Sequence, residues 1–161
     1  MILDLSSIIP AAAFVPYVLF LLFGLYRKRG ERFHVPFILY MSLMAVWSFG
    51  SFMMHANTGI ASPLFWNRFM LVGMLGVPIA IFFSVLDLIG TIRKRYISVL
   101  VVGISIYGFL QYLNFRGLIV SSAGFENGEF YYKLAGGALA AYSLCYAFYM
   151  IGILHLTRDE V

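Results

Sequence analysis

The residues best suited to chemistry are few, and most stand where apolar stretches begin or end. Trp66, Asn67 and Arg68 are consecutive. An arginine there can neutralise or orient an anionic or carbonyl-bearing ligand, and Trp66 and His55 would form the rim of such a cleft. Gln111 and Asn114 are one helical turn apart and share a face. Tyr142, Tyr146 and Tyr149 recur at spacings of four and three, which is a single helical stripe. A phenol in an apolar solvent wants a partner, so the stripe is expected to face other helices, either as core or as a ligand wall. Asp87 is the one acid inside the long apolar stretches. It is expected either to pair with Arg93–Arg95 or Arg27–Arg29, or to act as a switch whose pairing changes. Plainer roles fit the same residues, since Trp, Tyr and Arg at the ends of such stretches commonly anchor a helix at a membrane interface.

Enzyme signatures are missing. The chain has no phosphate-binding Gly-rich loop, no His-Glu-x-x-His, no Gly-x-Ser-x-Gly and no paired cysteines. Its three histidines, His34, His55 and His155, would lie on both sides of a bilayer, which excludes a three-His metal site. The single Cys145 allows no disulfide within the chain. No catalytic set and no cofactor is expected.

The elements that must position these residues follow from composition. Of 161 residues, 62% are hydrophobic and 11% charged, where soluble domains carry about 25% charge. Too few polar side chains exist to cover a water-facing surface, so part of the solvent must be lipid. Five stretches are long enough to span it as helices, at about 8–26, 35–54, 69–89, 96–115 and 134–156. The expected fold is therefore all-α, a polytopic bundle of five transmembrane helices forming one integral membrane domain over 1–161.

Charge gives the orientation. The ends after spans one, three and five hold Arg27, Lys28, Arg29, Arg32, Arg93, Lys94, Arg95 and Arg158, while the other side holds only Arg68, Arg116 and Lys133. The positive-inside rule puts the N-terminus outside and the C-terminus in the cytoplasm. The net charge of +4 thus points to lipid head groups and not to nucleic acid. Short links make spans one and two, and three and four, antiparallel neighbours. In the longest loop, Asn127-Gly128 is a hairpin turn signal flanked by β-prone residues at 118–120 and 130–132. A small extracellular β-hairpin is expected between helices four and five. Gly136-x-x-x-Ala140 suggests a close helix contact.

Several segments together resemble a known family. Span two reads Ser42-Leu-Met-Ala-Val-Trp47-Ser-Phe-Gly50, and span three opens Leu64-Phe-Trp66-Asn-Arg68 and continues to Gly73, Pro78 and Phe82-Phe83. The loop carries Gly117-Leu-Ile-Val-Ser-Ser and Asn127-Gly-Glu-Phe-Tyr-Tyr. These resemble the N-terminal seven-helix membrane region of bacterial sensor histidine kinases, which also precedes diguanylate cyclase and PAS domains. The resemblance implies a sensory input module in the plasma membrane. It would detect a small ligand or membrane cue outside and relay helix shifts to a cytoplasmic signalling domain or partner, and a homodimer is compatible because the resembled kinases work as dimers. Five spans stand where the family has seven, and no phospho-acceptor or ATP-binding region follows. The resemblance thus implies a piece of a larger receptor or a short relative that signals through a partner. Trp47 joins His55, Trp66, Arg68, Gln111, Tyr142 and Tyr146 as the expected ligand-binding set. Two other functions fit the composition: a small transporter or channel subunit using Ser42, Ser48, Ser84 and Ser105, and a ligand-free membrane scaffold.

Overall fold

A computed structural model of the chain describes residues 5–26, 34–56, 59–88, 94–126 and 129–158. Five helices and one hairpin follow in the order α1 Leu5–Tyr26, α2 His34–Ala56, α3 Pro63–Leu88, α4 Lys94–Phe115, β1 Val120–Glu126, β2 Glu129–Leu134 and α5 Gly137–Arg158. Among the described residues, α1 to α4 are long and apolar enough to cross a membrane, and α5 is apolar over Gly137–Ala147. Their outward side chains, such as Leu19, Phe20, Leu22 and Phe23 of α1, are apolar. That is what lipid requires, because the backbone bonds are closed within each helix.

Helix α3 is the hub, packing against α2, α4, α5 and β1, while α1 packs on α2. The neighbours expected from the short links are therefore in contact. The buried core gathers Leu71 and Leu75 of α3, Leu110 of α4, Ile119 and Val120, and Ala138 and Ala141 of α5. Against α2, the fit is set by glycine. A Cβ on Gly73 would collide with the carbonyl of Leu43 and lie 2.6 Å from the Trp47 nitrogen, and one on Gly50 would lie 2.8 Å from the Met70 backbone. The two backbones touch because neither helix carries a side chain there.

Of the boundaries that differ from the sequence reading, three have a plain physical cause. Helix α3 starts at Pro63, not 69, because Ser62 caps it: its hydroxyl accepts the Phe65 N–H at 3.2 Å, and proline fits the first helical position. Helix α5 starts at Gly137, not 134, because Leu134 is paired with Val120 in the sheet. The first strand covers Val120–Glu126, not 118–120. Leu118 instead closes the end of α4, donating to Leu113 O at 2.9 Å while Gly117 donates to Asn114 O at 3.0 Å. This is a Schellman cap, and Gly117 takes the positive φ of 76° that it needs. The antiparallel register brings Glu126 opposite Glu129, on either side of Asn127-Gly128, which itself lies outside the described residues. The expected contact of Gly136 and Ala140 is also displaced. Ala140 is exposed, and Gly137, Ala138 and Ala141 make the close approach, with a Cβ on Gly137 falling 2.6 Å from Leu118 O.

Candidate functional site

The hairpin end of the bundle is built around the first turns of α3 and the last turns of α4. Consecutive helical residues diverge by about 100°, so Trp66, Asn67 and Arg68 face different neighbours. Trp66 belongs to an aromatic group shared with α2, with ring centroids 5.7 Å from Phe49, 5.2 Å from Phe65 and 5.9 Å from Phe69. Asn67 is buried, and its amide donates to the Met54 sulfur of α2 at 3.5 Å. Arg68 turns the other way, toward α4. A terminal nitrogen of its guanidinium lies 2.9 Å from where a Cβ of Gly117 would stand, so the α4 cap leaves room for it.

Helix α4 answers with a polar stripe. Tyr107 donates to Val72 O at 3.0 Å, Gln111 to Leu71 O at 3.4 Å and Asn114 to Arg68 O at 2.9 Å. Asn114 also donates to Gln111 Oε1 at 3.3 Å. Each partner on α3 is a backbone carbonyl, so α4 is fastened to α3 by side-chain donors at three successive levels. Gln111 is thereby engaged at both ends of its amide. The sequence placed Gln111 and Asn114 on one face but passed over Tyr107, four residues before Gln111 on that same face.

Four buried polar atoms at this end have no hydrogen-bond partner among the described residues: Trp66 Nε1, Asn67 Oδ1, Arg68 Nε and Asn114 Oδ1. Asn114 is 0% exposed. Among the described residues no carboxylate pairs with Arg68. A buried polar group without a partner costs about 1–3 kcal/mol, so these atoms mark the place where a polar ligand would gain most. They fall in two groups, Trp66 and Asn67 toward α2, Arg68 and Asn114 toward α4.

The other expected site residues are placed as follows. His55 ends α2 with its ring 5.2 Å from Phe130 of β2, joining the hairpin to the bundle. Trp47 lies eight residues earlier, about 12 Å deeper at 1.5 Å per residue, with its backbone against Gly73. Tyr142 and Tyr146 do not face the bundle; they are 42% and 67% exposed. The face of α5 that packs inward is Ala138 and Ala141, whose small side chains let α5 come close. The side chains of Asp87 and Tyr149 lie outside the described residues, as do Arg27–Arg29 and Arg93, so the expected ion pair is not described. Of the four serines of the alternative path, Ser42, Ser84 and Ser105 donate to the carbonyls of Ile38, Ala80 and Val101, one turn back, and Ser48 is buried.

An α-helical, multi-pass membrane bundle with its polar atoms gathered at one end is the class of protein these observations define. Residues 8–159 match the model of the N-terminal 7TM region of histidine kinase, and the chain belongs to that family. It is a membrane sensory input module of the plasma membrane and not a catalytic domain. No curated protein and no solved structure matches the chain.

Proposed function

We propose that this module receives a small anionic or carbonyl-bearing ligand at Arg68, on the outer face of the membrane, and relays it as a shift between α3 and α4. The observation that carries the reading is the guanidinium of Arg68, whose buried Nε has no partner among the described residues beside the equally unpartnered Asn114 Oδ1. A ligand that accepts from the arginine and donates to the amide would answer both. Such a ligand would also meet the Asn114–Arg68 bond and the Gly117 cap, so binding acts on the joint between α3, α4 and the hairpin. His55 borders this end through Phe130, and Trp66 lines the α2 side of α3. The positive-inside count supports five spans with the N-terminus outside, which puts the hairpin outside and leaves relay to a cytoplasmic signalling partner. Asp87, near the opposite end of α3, is then suited to register the shift.

The test uses the full chain in lipid nanodiscs and the emission of Trp66 in a Trp47→Phe background, since the chain has two tryptophans. Titration with a panel of small carboxylates and inorganic phosphate should find a saturable response. Arg68→Ala should weaken it about 10- to 100-fold, the scale of a charge-assisted hydrogen bond, and Arg68→Lys should restore part of it. Equal responses from the parent and Arg68→Ala would remove Arg68 from the site.

A further inference from the structure

The hairpin is a two-stranded sheet, so among the described residues β2 has β1 on one edge and no strand on the other. Its side chains are open as well. Tyr132 and Leu134 are 54% and 55% exposed, and Tyr131 and Lys133 are also exposed. An isolated hairpin is marginal on its own, and an apolar free edge is a template for another strand.

The register says which backbone groups that edge offers. Glu126 and Glu129 close the two-residue loop and so exchange hydrogen bonds. Alternation makes Gly124 and Tyr131 the next bonded pair, and Ser122 and Lys133 the one after. The bond from Ser121 Oγ to Lys133 O, 3.1 Å, confirms that Lys133 turns its carbonyl to β1. Phe130 and Tyr132 therefore point their N–H and C=O groups away from β1, to the free edge.

We propose that this edge pairs antiparallel with the same edge of a second copy, centred on Tyr131 of each. In that register Phe130 and Tyr132 exchange hydrogen bonds across the two-fold axis, and Tyr131 faces Tyr131. Glu129 stands opposite Lys133 of the second copy, twice by symmetry. Centring on Tyr132 also satisfies the backbone but sets Lys133 opposite Tyr131, and centring on Lys133 sets two lysines face to face. Only the Tyr131 register matches opposite charges, and cross-strand pairs of opposite charge are favourable. A four-stranded sheet would then join two bundles at their hairpin ends. The interface does not depend on the ligand reading, because it uses no residue of the Arg68 site.

The experiment is disulfide trapping of the full chain in lipid vesicles, in a Cys145→Ala background. Tyr131→Cys should cross-link readily, because its partner position lies about 4.5 Å away between Cα atoms, within disulfide reach. Lys133→Cys alone should stay at background, since the two copies of that position stand four residues apart, about 13 Å. Mixing Lys133→Cys with Glu129→Cys should restore the cross-link. Tyr132→Pro removes an outward N–H and spares the β1 ladder, so it should lower Tyr131→Cys trapping about tenfold, the scale of two lost backbone bonds. A readout free of thiols is the dimer fraction of the otherwise unaltered chain by light scattering in nanodiscs, which Tyr132→Pro should lower by the same factor. Equal trapping at 131 and 133 would mean random contact of a hairpin lying on lipid. Stronger trapping at 132, an adduct with another protein, or a monomer by light scattering would each overturn the proposal.

Discussion

The two faces of α3 hold their neighbours by opposite means. Toward α2 the contact is backbone on backbone, with Gly73 against Leu43 and Trp47 and Gly50 against Met70. Toward α4 it is side chain on backbone, with Tyr107, Gln111 and Asn114 donating to three carbonyls of α3. Lipid supplies no hydrophobic drive to bring helices together, so contact rests on packing and on polar bonds. The glycine face has one fitting position, because any axial slide brings a side chain into a backbone. The donor face has no such steric stop, because its bonds are made by the ends of rotatable side chains. The α2–α3 pair thus has the geometry of a frame, and the proposed shift would fall at the α3–α4 joint, where Arg68 Nε has no partner among the described residues.

The sharpest way to break this comparison is Gly73→Val. Its Cβ would meet Leu43 O and the Trp47 nitrogen, both backbone and unable to yield. The cost should be about 3 kcal/mol, at the upper end for overpacking a filled contact, read as loss of helicity on titration with a denaturing detergent. Gly76→Ala is the milder comparison, because its Cβ would meet no backbone, only the end of the Leu43 side chain, which can rotate, and the edge of the Tyr107 ring at 3.3 Å. If Gly73→Val is as stable as the parent, the frame is not where the structure places it.

Next in size is Asn114→Ala, on the other face. It deletes two bonds from a side chain with no exposure, and about 1–2 kcal/mol should be lost in the same titration. It should also change the ligand response, because Asn114 borders Arg68, whereas Gly76→Ala should leave that response intact. A variant that lost stability but kept the full response would separate the joint from the site.

What the sequence disclosed depended on which signals survive in an apolar solvent. Span length and the charged ends are strong signals, so the helices, their order and the hairpin were legible. So was the shared face of Gln111 and Asn114, because amides in such a stretch are rare. The direction of the Tyr142–Tyr146 stripe was not, since lipid is as apolar as a core and periodicity cannot say which side of α5 is which. The same blindness hid Tyr107, which reads as packing, and the close contacts of Gly50 with Met70 and of Gly73 with Leu43 and Trp47, since glycines are frequent in membrane helices. Residues 66–68 are adjacent in sequence but not in their partners, since the helix sends Trp66 toward α2 and Arg68 toward α4.

The smallest expected effect tests the donor face at its deepest level. Tyr107→Phe keeps the ring and removes only the hydroxyl that reaches Val72 O. Polar bonds between membrane helices are worth about 0.6 kcal/mol on average, so the loss should be near that and well below Asn114→Ala. The ordering has a physical reason. Asn114 serves two acceptors in a fully buried position, while Tyr107 serves one and borders an apolar crevice with Pro78, Ile79 and Gly103. The carbonyl it leaves keeps its place within α3, so no group is stranded. If Tyr107→Phe proved costlier than Asn114→Ala, the α3–α4 joint would be anchored at mid-bundle and free at the hairpin end. A ligand at Arg68 would then move the end of α4 without moving its middle.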